Sequence, residues 1–365
     1  MIYPLIPLFL TSSIGASAAA VGLIEGVAEG AASFTKGLSG WASDRLRLRK
    51  PLVVAGYGLS ALAKPLLAAA TVWPVALGVR LTDRLGKGIR TAPRDALVAD
   101  ATPARARGLA FGFHRAADTM GAVVGPAIGL GLFVLLSEDF RLVFVLAFLP
   151  ALAGLAVLSL VRDQPPPETA AAPAEDRVPL RRLGRQFYLF LAISLLFAFG
   201  NSSDAFLILR ASDLGLTNVE AVSAYILFNA VYAVGAMPAG LLSDHLGRRG
   251  IIGGGFAMFG AVYLGLALAG GSAAIWPLFA LYGVYMALTE AVGRAFVVDF
   301  APPAARATAL GVYTGATGGM ILLSSVVAGV LWDTVGPWAP FAVGAVTGGA
   351  SALLVMVFLR DRRVR

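Results

Sequence analysis

Apolar runs of about twenty residues, parted by short polar or Gly/Pro-rich breaks, recur from one end of the chain to the other. A run of that length crosses a hydrocarbon core of about 30 Å as a helix. Strict in/out alternation of barrel strands is absent, and every backbone group in lipid needs an internal partner, so helices are the reading. Hydropathy and punctuation place about twelve spans, near 1–17, 19–42, 51–71, 74–92, 107–135, 141–161, 187–210, 218–242, 250–269, 275–298, 307–331 and 338–359. The predicted class is an all-α polytopic membrane protein.

The breaks fall into two classes. "DRLRLRK" (44–50), "RTAPRDALVADATPARAR" (90–107), "RDQPPPETAAAPAEDRVPLRRLGR" (162–185), "DHLGRR" (244–249) and the tail "RDRRVR" (360–365) are rich in Lys and Arg, whereas "SSIGAS", "SEDFR", "GGSAA" and "DTVGP" are not. The positive-inside rule places the first class, with the C-terminus, in the cytoplasm of a cell bounded by its cytoplasmic (inner) membrane. A net charge of +8 would suit a nucleic-acid partner, but the bases lie in short loops between apolar spans, so none is expected. With 58% hydrophobic residues, 14% charged and 43 glycines, the chain has a membrane composition. No basic stretch precedes the first apolar run, so no cleavable signal is expected.

Enzymatic classes find no footing. There are no cysteines for disulfides or thiolate metal sites, and the two histidines, His114 and His245, lie in different halves. H-E-x-x-H, G-x-S-x-G and P-loop patterns are missing, so no enzyme, cofactor or resident metal is expected.

The Pro- and Ala-rich stretch 163–186 reads as a linker between an N-terminal bundle (1–162) and a C-terminal bundle (187–365). The halves resemble each other at an offset of about 200: "GWASDR" (40–45) matches "GLLSDH" (240–245), Gly15 matches Gly215, and "VADATPARARGLAFG" (98–112) matches "VVDFAPPAARATALG" (297–311). Two six-helix bundles related by pseudo-two-fold symmetry follow. The repeat aligns Met1 with Asn201, leaving 187–200 without a counterpart. Residues 1–11 would reach only about 16 Å. The chain is therefore expected to start inside its first transmembrane helix, the alternative being a naturally short or re-entrant segment.

Charge inside the spans is the informative departure. In the fourth span Arg80, Asp83, Arg84 and Lys87 fall at i, i+3, i+4 and i+7, on one helix face. Facing lipid, each would cost about 2.5–3.5 kcal/mol near mid-membrane, so they must face protein or water. Opposite charges at those spacings can neutralise one another along the face. Glu25, Glu29 and Lys36 share a face of the second span, His114 and Asp118 of the fifth, and Glu290 and Arg294 of the tenth; "NSSD", Asn201 to Asp204, marks the seventh. Lys64 stands alone in the third, and Arg90, Arg94 and Asp95 are expected at the cytoplasmic rim. So many polar faces predict a shared hydrated cavity between the bundles. A fixed ion pair that only locks helices is an equal reading for Glu290 with Arg294.

Three motifs then carry a resemblance. The loop pattern G-x-x-x-D-[RK]-x-G-[RK]-[RK] appears in the second half as Gly240, Asp244, Gly247, Arg248 and Arg249, with His245 at the first basic position. The first half keeps Gly40, Asp44, Arg45, Arg49 and Lys50, but Arg47 stands where the second glycine belongs. "RLTDRLGKG" resembles R-x-x-Q-G-x-G-x-G of a fourth span, keeping Arg80, Gly86 and Gly88, with Asp83 and Arg84 in place of Gln and Gly. "GAVVGPAIG" resembles the fifth-span pattern G-x-x-x-G-P-x-x-G-G through Gly121, Gly125, Pro126 and Gly129, with Leu130 replacing the last glycine. Over its whole length the chain resembles the major facilitator superfamily.

That resemblance implies a secondary transporter in which two bundles rock about a central site. It implies that the loop motif latches the cytoplasmic gate, with glycine allowing close approach and the aspartate meeting a helix N-terminus. It implies that Arg80 aids proton transfer, for which Asp83 is a candidate acceptor, and that the fifth-span motif belongs with exporters. The expected activity is proton-coupled export of a small organic solute by a monomer in the bilayer, with Glu25, Glu29, Arg80, Asp83, Arg84, Lys87, His114, Asp118, Asn201, Asp204, Glu290 and Arg294 around solute and proton. A proton/solute symporter, a metal-ion exporter and a transport-inactive receptor or assembly factor are the rivals.

Overall fold

A computed structural model of the chain describes residues 1–46, 48–103, 106–161, 183–302 and 305–360. It is helical, with no strand among the described residues. A short first helix, α1 (Leu5–Leu8), runs into a π-helical turn (Phe9–Ser13). The rest of the first half comprises α2 (Ala18–Leu46), α3 (Arg49–Ala68), α4 (Trp73–Asp100), α5 (Arg107–Leu135), α6 (Phe140–Leu146) and α7 (Phe148–Leu160). The second half comprises α8 (Arg185–Gly200), α9 (Ala205–Asp213), α10 (Asn218–Leu246), α11 (Arg248–Leu268), α12 (Ile275–Phe300), α13 (Arg306–Thr334) and α14 (Ala339–Phe358). Among the described residues nine helical stretches are long and apolar enough to cross a membrane. Absent from the nine are the short α1 and the two most charged helices, α2 and α4.

The predicted spans appear as helical segments, with four differences. The first span is reduced to α1 and the π-helical turn, and the sixth is parted at Ala147 into α6 and α7. Helices run further on the side of the basic loops, α4 reaching Asp100 where 74–92 was expected and α12 reaching Phe300. The seventh span is not one helix but two, broken at Asn201–Ser203. Asn and Ser side chains compete with the backbone for its own hydrogen bonds and favour such breaks. Here the Ser203 amide leaves the helical ladder and donates to Ser325 Oγ at 3.1 Å.

Local chemistry sets several ends. Thr217 caps α10 in a capping box: its Oγ1 accepts from the Glu220 amide at 3.3 Å, and the Glu220 carboxylate accepts from the Thr217 amide at 2.8 Å. Asp139 caps α6 by accepting from the Arg141 and Leu142 amides. Gly15 and Gly215, paired by the sequence repeat, both take the left-handed conformation, at φ 71° and 96°. A side chain would strain either turn, which is why glycine recurs at this offset.

Contacts divide the chain into two compact units, one of Met1–Ala16 with Val27–Glu175, the other of Ser17–Gly26 with Asp176–Arg365. The division falls inside α2, whose first nine residues belong with the second unit. There Asp333, near the end of α13, accepts from the Ala18 and Ala19 amides at 3.1 and 2.8 Å. Most of the linker predicted over 163–186 lies outside the described residues; its last two residues are already the start of α8.

The first unit packs Phe9 against Phe140 and Phe144, all buried, while α7, apolar but for Ser159, buries no residue. An apolar helix left bare in this way is what lipid as solvent permits. The second unit holds a denser aromatic core in which Phe197, Phe256, Phe259, Tyr263, Tyr282 and Tyr285 interlock.

Candidate functional site

The fourth-span face is positioned by close helix packing. On one flank of α4, Gly86 faces α3, where a Cβ would lie 2.6 Å from the Gly56 carbonyl oxygen and 2.8 Å from Ser60 Oγ. On another flank Gly88 faces α2, where a Cβ would lie 2.7 Å from Thr35 Cβ. Hydrogen bonds reinforce both contacts: Ser60 Oγ donates to the Asp83 carbonyl at 3.0 Å, and Ser39 Oγ to the Gly88 carbonyl at 2.9 Å. The two glycines that match the fourth-span signature therefore let α2 and α3 approach α4 closely, which fixes the direction of its charged face.

Arg80 is 4% exposed and its Nη1 lies 3.4 Å from Asp83 Oδ2. Arg84 and Lys87 do not close on Asp83, as neutralisation along the face would require. They turn to α2, with Glu29 at 2.9 Å from Arg84 and 3.8 Å from Lys87. A partner on a neighbouring helix wins here because close packing brings Glu29 nearer than the next turn of α4. The Arg80 and Arg84 guanidinium groups both lie over the Tyr3 ring, at 5.7 and 5.6 Å.

This face opens on a cavity of about 170 Å³ inside the first unit, lined by Lys64, Arg80, Asp83, Arg84, Tyr3 and aliphatic side chains. Lys64, isolated in the sequence, belongs to the site because α3 lies against α4. Its Nζ donates to the Ser60 carbonyl of its own helix at 2.8 Å.

The rim residues form a second network. Arg94 reaches Asp95 at 3.1 Å and Asp118 of α5 at 3.8 Å, and His114 Nε2 lies 3.6 Å from Asp118. Arg90 lies over the Tyr57 ring at 4.5 Å and donates to Ser60 Oγ at 2.6 Å. The predicted His114–Asp118 face thus exists and is tied to α4. Glu25 is buried at 1% exposure in the stretch of α2 that belongs with the second unit, one turn from Glu29 in the first.

Of the fifth-helix glycines, Gly125 and Gly129 face the Met1 backbone, whereas Gly121 meets open space, and α5 runs through Pro126 as one helix. Gly121 does not mark a close contact within its unit.

The basic loops repeat their contacts. Arg49 pairs with Asp100 at 2.7 Å in the first unit, and Arg248 with Asp299 at 2.7 Å in the second. The next base in each, Lys50 or Arg249, donates to carbonyls near the end of its unit's last helix, Ser159 and Val161 at 2.9 and 2.6 Å or Met356. These four loop bases thus hold acidic or carbonyl partners. Arg45 lies over Trp41. Gly247 takes φ 87°, as a tight turn requires, and Gly40 meets Ala92, but Gly240 faces open space and makes no close approach. The side chains of Asp44 and Asp244, and all of Arg47, lie outside the described residues.

In the second unit the seventh-span break brings carboxylates to tyrosines. Tyr282 donates to Asp204 Oδ1 at 2.8 Å, and the Asn201 side-chain amide to the Tyr285 hydroxyl at 3.2 Å. Glu290 accepts from Tyr232 at 2.5 Å and lies 3.5 Å from Arg294, so the pair expected within α12 forms but shares its carboxylate with α10. These tyrosines were missed. The available signal was Tyr282, Tyr285 and Thr289 at i, i+3 and i+7, a stripe that reads as ordinary core.

The sequence profile of the Major Facilitator Superfamily matches residues 1–225 and 189–365, the whole chain. The chain belongs to this superfamily. An uncharacterized MFS-type transporter of Methanocaldococcus jannaschii is 35% identical over 362 residues, covering 98% of this chain and 90% of the relative. A tetracenomycin C resistance and export protein of Streptomyces glaucescens is 29% identical over 131 residues, 36% of this chain and 24% of that protein. The crystal structure of a D-xylose–proton symporter shares the fold at TM-score 0.76 and 17% identity, covering 95% of this chain and 89% of that one. The major facilitator chain is thus an integral membrane transporter and not an enzyme, with the two-bundle fold of its superfamily.

Proposed function

We propose that this major facilitator chain is a secondary active transporter that works by alternating access and exports a small organic solute in exchange for protons. The observation that carries the reading is the Arg80–Asp83 pair, 3.4 Å apart on the wall of a cavity. Asp83 lies some ten residues into α4, about 15 Å from its start. A carboxylate at that depth that opens on a cavity is in reach of a proton, and a scaffold gains nothing from keeping it there. Asp83 takes the proton; Arg80 and Arg84 hold the acceptor and its surroundings in place; Glu25, Glu29, His114 and Asp118 extend the ionisable path. In the second unit Asn201, Asp204 and Glu290 supply polar contacts to the solute. Export is favoured by the fifth-helix motif Gly121, Gly125, Pro126 and Gly129 and by the partial match to an export protein. The monomer sits in the inner membrane with its C-terminus in the cytoplasm.

Purified protein in liposomes under an imposed pH gradient tests this. Solute should move against its gradient toward the compartment that supplies the protons, and Asp83→Asn or Arg80→Ala should abolish driven movement. Co-movement of solute and protons would replace exchange by symport. No gradient-driven flux for any solute would refute the reading in favour of a receptor or assembly factor.

A further inference from the structure

The cavity of the first unit does not balance its charge. Three bases line it, Lys64, Arg80 and Arg84, against one carboxylate, Asp83. Arg80 has Asp83 at 3.4 Å and Arg84 has Glu29 at 2.9 Å. Lys64 donates to a carbonyl of its own helix, and the carboxylate that acts on it, Asp83, is the one that already pairs with Arg80. An ammonium in apolar surroundings that shares its acidic partner with a guanidinium is costly, and the remaining lining is Met1 with its buried amino group, Tyr3 and aliphatic side chains.

We infer that the solute itself supplies the missing charge: the cavity takes a small organic monoanion, its carboxylate or equivalent acidic group on Lys64 and its apolar body against the aliphatic wall and the Tyr3 ring. This rests on the transporter reading above and narrows its substrate class. The other two bases favour the same choice, because both guanidinium groups are held over one aromatic ring beside the cavity and add positive potential to it. Lys64 becomes the residue that sets charge specificity. It touches the solute, whereas Arg80 and Arg84 act from their own ion pairs.

The test uses matched trios that differ only in the polar group: benzoate, benzylamine and benzyl alcohol, and hexanoate, hexylamine and hexanol. Binding to the full-length purified protein is read by thermal stabilisation over a concentration series. The carboxylates should bind about ten-fold or more tighter than their amine and alcohol partners, as a charged hydrogen bond to the Lys64 ammonium predicts. Lys64→Met should erase that preference and Lys64→Arg should keep it. An amine or alcohol binding as tightly as its carboxylate, a preference that survives Lys64→Met, or binding by none of the six would overturn the inference. Should Lys64→Met fail to fold, the preference in the unaltered protein still decides. Binding is measured without a gradient, so the two readings fail separately. Carboxylate binding without driven flux would uphold the anion site and sink the transporter; driven flux of amines without carboxylate binding would do the reverse.

Discussion

Replacing Gly86 by alanine places one methyl group at the closest point between α3 and α4. That Cβ would lie 2.6 Å from the Gly56 carbonyl oxygen and 3.0 Å from the Ser60 amide nitrogen, against 3.4 Å for ordinary contact. Both neighbours are backbone atoms on a packed helix, so no rotamer change relieves the overlap, and the helices must part by about 0.8 Å. Overpacking of this kind costs about 1–3 kcal/mol. Parting the helices also stretches two bonds that cross the seam, Ser60 to the Asp83 carbonyl and Arg90 to Ser60, each contributing about 0.5–1.5 kcal/mol. Alanine recovers about 0.5–1 kcal/mol of helix propensity. The net is a loss of about 1–3 kcal/mol, and at roughly 2–4 °C per kcal/mol for domains of 150–250 residues the melting temperature in detergent falls by several degrees. Gly78 supplies the control. It sits in the same helix with nothing within 4 Å of a Cβ, so the same substitution there keeps only the propensity gain and leaves stability equal or higher. Thermal unfolding of both variants by circular dichroism decides. If Gly86→Ala melts at or above the unaltered protein, or no lower than Gly78→Ala, the close-approach account of this signature glycine is wrong.

Two further outcomes follow from named contacts. Glu29→Gln removes the partner of Arg84 and weakens that of Lys87; with the Glu29 side chain 32% exposed, the loss falls short of the 3–5 kcal/mol of a fully buried pair, at about 1–2 kcal/mol in thermal unfolding. Adding Arg84→Met should recover part of that loss, because the more buried of the two charges that face Glu29 is then removed with it. Asp333→Ala strips the N-terminus of α2 of its two accepted amide bonds and should cost about 0.5–2 kcal/mol, while Asp333→Asn should keep most of the stability, a contrast read in the same melts.

The sequence by itself determined the order and approximate placement of the spans, the repeat of Gly15 with Gly215, the doubled basic loops and the charged face of α4. Each of these is local or periodic: an apolar run long enough to cross a bilayer, a turn that demands glycine, a spacing of three and four residues. It did not determine partners. Arg84 and Lys87 read as neighbours of Asp83, yet they pair with Glu29, because glycines at 86 and 88 pull α4 onto α3 and α2. Lys64 read as a stray base until α3 placed it beside Arg80. Tyr282 and Tyr285 read as core until the seventh-span break carried Asp204 to the one and Asn201 to the other. Which charge meets which is settled across helices, over contacts between residues far apart in the chain, and helical periodicity carries no information about the helix on the other side of the contact.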